Sequence, residues 1–110
     1  MEAKPRRIEI YLTPDGRAPY QEWIHELKDV KARAKIRARI DRVEEGNFGQ
    51  MASVGEGVFE LKIDCGPGYR LYAGQVGQTI VVLLCGGEKH AQQKDIVKAK
   101  NYWKDFQVRR

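Results

Sequence analysis

Alternating and helical patterns of apolar residues predict the elements in the first half of the chain. Residues 7–12 alternate between polar and apolar types, which is typical of a strand with one buried face. From Tyr20 to Leu27, apolar residues recur at i, i+3, i+4 and i+7, the spacing of a helix with one buried stripe. A second helix follows, and Gly46-Asn47 is typical of its end. Its inward positions are Ala32, Ile36, Ile40 and Val43.

The second half predicts three more strands and a final helix. Residues 58–64 and 69–73 alternate, with a Gly66-Pro67-Gly68 turn between them. The continuous apolar run over 79–85 predicts a strand buried on both faces, and therefore central in its sheet. We interpret 49–57 as a glycine-bearing connector and expect an amphipathic helix from about Ala91. The order β-α-α-β-β-β-α predicts an α+β domain with an antiparallel sheet, an N-terminal helical hairpin and a C-terminal helix.

Composition narrows the class of protein. With 110 residues we expect one domain over 1–110, and no apolar run reaches the roughly 20 residues of a membrane helix. No apolar segment follows Met1, so we expect no secretory signal and a cytoplasmic location. Cys65 and Cys85 lack a CxxC partner, which argues against a zinc ribbon and a disulfide scaffold. The net charge of +5 favours a polyanionic partner.

Much of this charge lies on the second predicted helix. Residues 28–42 carry seven basic and two acidic side chains, a surplus equal to the net charge of the whole chain. Two interpretations are open: a solvated helix face, or a docking face for nucleic acid or an acidic partner. One stripe of basic residues steps by three or four along the helix and comprises Lys28, Lys31, Lys35, Arg39 and Arg42.

One face of the predicted sheet combines cations with a phenol. Alternation places Lys62 on the same face as Arg70 and Tyr72 of the next strand. A guanidinium can bind a phosphate with two hydrogen bonds and a tyrosine ring can stack on a base, so these residues form a candidate nucleotide site. The alternative is a structural one, in which Arg70 pairs with Glu60 across the strands and Tyr72 covers apolar surface.

The segment after the last predicted strand adds three candidates. Lys89 and His90 precede the final helix, at a sheet end where working residues are common. Asp95 falls within the inward arc of that helix. Because a buried carboxylate needs a partner, we expect Asp95 to support the site by pairing with Arg70.

Several spaced motifs resemble the addiction-module killer proteins, the phage Gp49-like and HigB-like branch of the RelE/ParE toxin superfamily. The resemblance covers nearly the whole chain, in the order of the family. The principal segments are Glu60-Leu61-Lys62-Ile63, Gly66-Pro67-Gly68-Tyr69-Arg70-Leu71-Tyr72, Leu83-Leu84-Cys85-Gly86-Gly87-Glu88-Lys89 and Gln92-Gln93-Lys94-Asp95-Ile96. The earlier ones are Glu22-Trp23, Leu27-Lys28-Asp29 and Gly46-Asn47-Phe48-Gly49.

The resemblance implies the toxin of a type II toxin-antitoxin system, encoded beside a DNA-binding antitoxin of the helix-turn-helix type. RelE-type members are endoribonucleases, or mRNA interferases, which cleave messenger RNA on the ribosome with no metal or other cofactor. ParE-type members instead poison DNA gyrase on much the same fold, so fold alone does not choose between these activities. A degenerate module that only binds its antitoxin is the third possibility.

The family pattern also implies roles for individual residues. Lys62 matches the basic position on the sheet, Arg70 matches the Gly-Tyr-Arg arginine, and Lys89 matches the basic residue after the last strand. The family's terminal tyrosine has no counterpart, and His90-Ala91 stands where small hydroxyl residues are usual. The resemblance therefore leaves His90 or Tyr72 to move protons, with the basic stripe of the second helix holding ribosomal RNA.

Overall fold

The computed structural model describes residues 4–110, which form a five-stranded sheet and three α-helices. In chain order these are β1 (Arg7–Ile10), α1 (Pro19–Glu26), α2 (Val30–Glu44), β2 (Met51–Gly55), β3 (Val58–Ile63), β4 (Tyr69–Val76), β5 (Ile80–Glu88) and α3 (Gln92–Arg109). A single 3-10 turn, Lys89–Ala91, precedes α3. No α-helix in this part of the chain is both long and apolar enough to cross a membrane.

The sheet is mixed, with the strand order β1-β5-β4-β3-β2. Strands β2 to β5 form an antiparallel meander, whereas β1 pairs with β5 in parallel. The α+β class is confirmed, but the prediction of an antiparallel sheet is wrong at β1. Hairpin turns fix the directions of the meander strands, while two helices separate β1 from the meander, so no turn in the sequence sets its direction.

Strand β2 lies in the segment that the sequence analysis interpreted as a connector, and that interpretation is wrong. Met51, Ala52 and Ser53 are exposed, so this edge strand shows no hydrophobic alternation. Pairing with β3, in which Met51 lies opposite Leu61, defines the strand instead. In the turn from β2 to β3, the backbone angle φ is positive at Gly55, Glu56 and Gly57. The two glycines adopt this conformation without strain.

Both faces of the sheet are covered, so β5 is buried on its two sides as predicted. It lies inside the sheet, although β4 takes the middle position. The helical hairpin packs on one face, where Ile36 and Val43 meet Leu61 and Leu71. Helix α3 packs on the other face through Ala99 and Trp103, over a cluster that comprises Tyr11, Val58, Tyr72, Ile80, Val82, Leu84 and Cys85. Cys65 and Cys85 are free thiols.

Arg39 connects α2 to the sheet from a buried position. Its side chain is 7% exposed and donates to three backbone carbonyls. Nη1 lies 2.8 Å from Lys62 O, Nη2 lies 2.5 Å from Gln50 O, and Nε and Nη2 lie 3.2 and 3.0 Å from Phe48 O. The prediction that Arg39 binds RNA or the ribosome is therefore wrong, because its donors are occupied inside the protein.

Replacing Arg39 by methionine should lower the free energy of unfolding by about 2–4 kcal/mol. The change leaves three carbonyls without their donor, and hydrogen bonds from charged groups are among the stronger ones in proteins. Denaturant unfolding followed by tryptophan fluorescence measures the difference. The matched control is Arg42→Met on the same helix, where the exposed side chain predicts a change of about 0.5 kcal/mol or less. Equal stabilities of the two variants would contradict this role of Arg39.

Candidate nucleic-acid interface

Three cations line one open cavity at the end of β3 and β4. Lys62, Arg70 and Lys89 contribute to a hollow of about 440 Å³, together with Asp64, Cys65, Gly66, Pro67 and Gly68 of the turn that joins the two strands. Lys62 lies directly opposite Arg70 in the β3–β4 register. The Lys89 amide donates to Gly68 O at 2.9 Å, which brings the segment after β5 to the same opening. We call this hollow the cation cavity.

Arg70 is held on one side and open on the other. Its side chain is buried, with Nε 3.6 Å from Glu60 Oε1 and Nη1 3.3 Å from Tyr69 O. Glu60 in turn accepts hydrogen bonds of 2.9 and 3.2 Å from Gln92 Nε2 of α3. Within residues 4–110, Nη2 donates no hydrogen bond and is not among the buried unpaired atoms, so it reaches solvent. The expected cross-strand ion pair is present, although Nε makes no hydrogen bond within these residues, and Nη2 stays available to an anion.

The two lysines of the cation cavity are more exposed. Lys62 Nζ lies 3.9 Å from Asp64 Oδ1, and the two side chains are 41% and 77% exposed. An ion pair this long and this exposed contributes little, so it leaves the ammonium group available. Lys89 is exposed, and no ion pair to it occurs among the residues that the structure describes. The cavity lining therefore holds three cations and a single carboxylate.

A second cavity, of about 400 Å³, extends this surface toward α2. It shares Lys62 and Asp64 with the cation cavity and adds Lys35, Arg39 and Arg42 from the helix, where Arg39 bonds to backbone carbonyls. The two cavities are neighbours through these shared residues, and we call them together the basic groove. Besides Arg39, its cations are Lys35, Arg42, Lys62, Arg70 and Lys89. Spaced cations along a groove suit the phosphates of a nucleic acid strand.

The predicted stripe on the second helix reaches this groove only in part. Lys35, Arg39 and Arg42 line it, whereas Lys31 is exposed but lines neither cavity. Lys28 precedes α2, because Asp29 caps the helix by accepting a hydrogen bond of 3.1 Å from Ala32 N.

The two candidate proton carriers lie outside the cavity lining. The side chain of His90 is 76% exposed, and its Nδ1 lies 3.4 Å from Glu88 Oε2. Tyr72 is completely buried under α3, where burial raises the pKa of its phenol, and its Oη has no hydrogen-bond partner among residues 4–110. The prediction that Tyr72 stacks on a base or moves a proton is wrong for this structure, because no ligand can reach its ring.

Asp95 is buried as predicted, but its expected pairing with Arg70 is wrong. Arg70 pairs with Glu60 instead, and no ion pair or hydrogen bond joins Arg70 to Asp95 in the described part of the chain. The carboxylate packs against Gly87, where any Cβ would overlap it. Burial raises the pKa of Asp95, and the positive charges of Lys98, Lys94 and His90 oppose that shift only in part.

Asp95→Asn should raise the free energy of unfolding at pH 7. A carboxyl whose pKa is raised in the folded state binds its proton more tightly there, so its stabilising contribution is lost as pH rises through that pKa. Asparagine keeps the shape without the charge. The gain should shrink as pH falls toward the ordinary value of 3.8, which urea unfolding at several pH values measures. Asp41→Asn, at an exposed position, is the control. A loss of stability at pH 7 in Asp95→Asn would contradict this account.

Sequence reasoning missed the contact that fixes Arg70. Gln92 falls in the inward arc of the final helix, and Glu60 lies on the sheet face that this helix covers. From the positions of Gln92 and Glu60 in these two patterns, a hydrogen bond between α3 and β3 could have been predicted. The described residues contain no group of three or more His, Cys, Asp and Glu side chains that could hold a metal ion.

Comparison with known proteins gives a relative with no described function. No protein-family model matches the chain. An uncharacterized protein of Haemophilus influenzae is 51% identical over 81 residues, which cover 74% of this chain and 82% of the relative. At this identity and coverage, the chain belongs to the same family as the Haemophilus influenzae protein.

Proposed function

We propose that the chain is the toxin of a type II toxin-antitoxin system and acts as a metal-independent, ribosome-dependent mRNA endoribonuclease. Cleavage arrests translation, and a cognate antitoxin neutralises the protein. The observation that carries this proposal is the convergence of Lys62, Arg70 and Lys89 on one open cavity. The family resemblance of the motifs that contain these residues supports it.

The reaction needs charge stabilisation at a phosphate. The 2′-oxygen of a nucleotide attacks the adjacent phosphorus, and the bond from phosphorus to the 5′-oxygen breaks, which leaves a cyclic phosphate and a 5′-hydroxyl. Negative charge increases on the non-bridging oxygens of the phosphorane. The open Nη2 of Arg70 would bind one of these oxygens, and the ammonium groups of Lys62 and Lys89 would neutralise the remaining charge.

Glu60 and Gln92 give this arrangement its rigidity. A guanidinium that is already oriented needs no rearrangement as charge develops, which is the condition for strong electrostatic catalysis. The contacts from Glu60 to Arg70 and from Gln92 to Glu60 restrain the inner side of the guanidinium. Its outer side stays free for the phosphate.

Proton transfer is assigned to His90. The 2′-hydroxyl must lose a proton and the 5′-oxygen must gain one, and an imidazole is suited to both tasks near neutral pH. His90 follows Lys89 directly and is exposed, whereas the alternative, Tyr72, is buried. A transcript that contacts Lys89 would therefore pass close to this imidazole.

Lys35 and Arg42 extend the positive surface beyond the reacting phosphate. Their place in the basic groove fits contacts to ribosomal RNA or to neighbouring messenger RNA phosphates. A gyrase poison, the alternative activity, does not need three cations around one small cavity. The convergence therefore favours cleavage of RNA.

Lys89→Ala should lower cleavage of ribosome-bound messenger RNA by roughly a hundredfold, because one group that stabilises the phosphorane is lost. Lys89 is exposed, so the fold should be unaffected. The measurement is the rate at which new transcript 5′ ends appear on ribosomes that carry a defined messenger RNA. Lys94→Ala removes another exposed lysine on the same stretch of chain and should stay within about twofold of the wild type.

A second pair of variants tests Arg70. Arg70→Ala should abolish cleavage and growth arrest, and Arg70→Lys should not restore them, because a lysine cannot both pair with Glu60 and reach the phosphate. Circular dichroism and antitoxin binding report whether each variant folds. Folded Arg70→Ala protein that still arrests growth would refute the proposed function.

A further inference from the structure

A groove on the other flank of α2 takes no part in the proposed reaction. It has a volume of about 620 Å³ and lies between α1, α2 and β1. We call it the hairpin groove. It is lined by Ile8, Ile10, Tyr20, Gln21, Ile24, His25, Val30, Arg33, Ala34, Arg37, Ile40, Asp41 and Leu83.

The floor of the hairpin groove is apolar and incompletely covered. Ile8, Ile10, Ile24 and Ile40 are only partly buried, and Val30 is 67% exposed. Water on contiguous apolar surface is unfavourable, so a grouped patch of this kind is typical of an interaction site. Phosphates and sugars gain nothing from an apolar floor.

The rim of the hairpin groove is basic. Arg33 and Arg37 are exposed, and no ion pair to either occurs among the residues that the structure describes. His25 lies on the same rim, and Asp41 is the only acidic lining residue. Guanidinium groups beside an apolar floor complement a segment that carries carboxylates next to apolar side chains.

The groove does not complement a second copy of this chain. Outside the groove, the described part of a second copy exposes Leu12 and Met51 singly, and it exposes two large apolar residues on one helix, Val97 and Val108 of α3. The charged side chains near them in the α3 sequence are Lys94, Lys98, Lys104, and Arg109 in an ion pair with Asp105, so basic residues predominate. Seating these residues of α3 in the groove would bring like charges against Arg33 and Arg37, which is unfavourable.

We propose that the hairpin groove binds an acidic amphipathic helix of a partner protein. Apolar side chains at i, i+3, i+4 and i+7 would fill the floor, and Asp or Glu side chains beside them would pair with Arg33 and Arg37. The inference goes beyond the proposed function and does not depend on it, since it concerns a surface that the reaction leaves free.

The test is selection from a phage-displayed library of helical peptides of about 20 residues, with mixed apolar, acidic and basic positions. Recovered peptides should combine the apolar spacing with acidic residues. Their affinity should fall by roughly tenfold or more for the double variant Val30→Glu with Arg37→Glu. The matched control, Val97→Glu with Lys104→Glu, also changes an exposed valine and reverses a charge, but outside the groove. It should change affinity by less than about twofold.

Three results would overturn the proposal. The first is a failed selection: no peptide binds, the peptides that bind are basic, or the recovered peptides bind both double variants equally well. The second is a wild-type dimer in sedimentation that only the groove variant loses, which would assign the groove to a second copy. The third is a loss of RNA binding in the groove variant alone, which would assign it to nucleic acid.

Discussion

A half-buried carboxylate joins three elements at the end of the sheet and thereby restrains Arg70. Glu60 of β3 is 13% exposed, and it contacts Arg70 of β4 and Gln92 of α3. Pairing offsets the cost of placing the Arg70 charge inside the protein, and Gln92 holds the carboxylate that pairs with it, so the three side chains constrain one another. Arg70 is therefore both a structural residue and a candidate ligand for phosphate. Its guanidinium pairs with Glu60, and the residue also lines the cation cavity.

A second buried arginine supports the same site from the opposite side of the sheet. Arg39 donates to the carbonyl oxygen of Lys62, whose side chain lines both hollows of the basic groove. It also binds the carbonyls of Phe48 and Gln50, so it secures the loop before β2. The position of Lys62 thus depends on a residue of α2 that lines the second cavity but directs its hydrogen bonds to backbone carbonyls.

Local pattern predicted those parts of the fold and site that depend on neighbouring strands. Lys62 and Arg70 share a face because alternation and a short turn set their register. Lys35, Arg39 and Arg42 lie on the same side of α2. Arg39 bonds to carbonyls of the loop before β2, a tertiary contact that the helical pattern does not show.

The same limit explains Tyr72. It shares a strand face with Arg70, but α3 covers the middle of the strand and leaves its end open. Nothing in the alternation says where along a strand a helix will lie. The exposed edge strand β2 was missed because pairing with β3, rather than burial of its own side chains, defines it.

The two grooves lie on opposite flanks of α2, so the proposed RNA and the proposed partner helix would bind on different sides of this helix. The basic groove is the proposed RNA site. Its most direct test is an NMR titration of the wild-type chain with a short RNA that carries 2′-O-methyl groups and cannot be cleaved. The account predicts that the largest amide shifts fall at Lys62, Gly68, Arg70 and Lys89. Unchanged signals at these residues, with shifts confined to other surfaces, would contradict it.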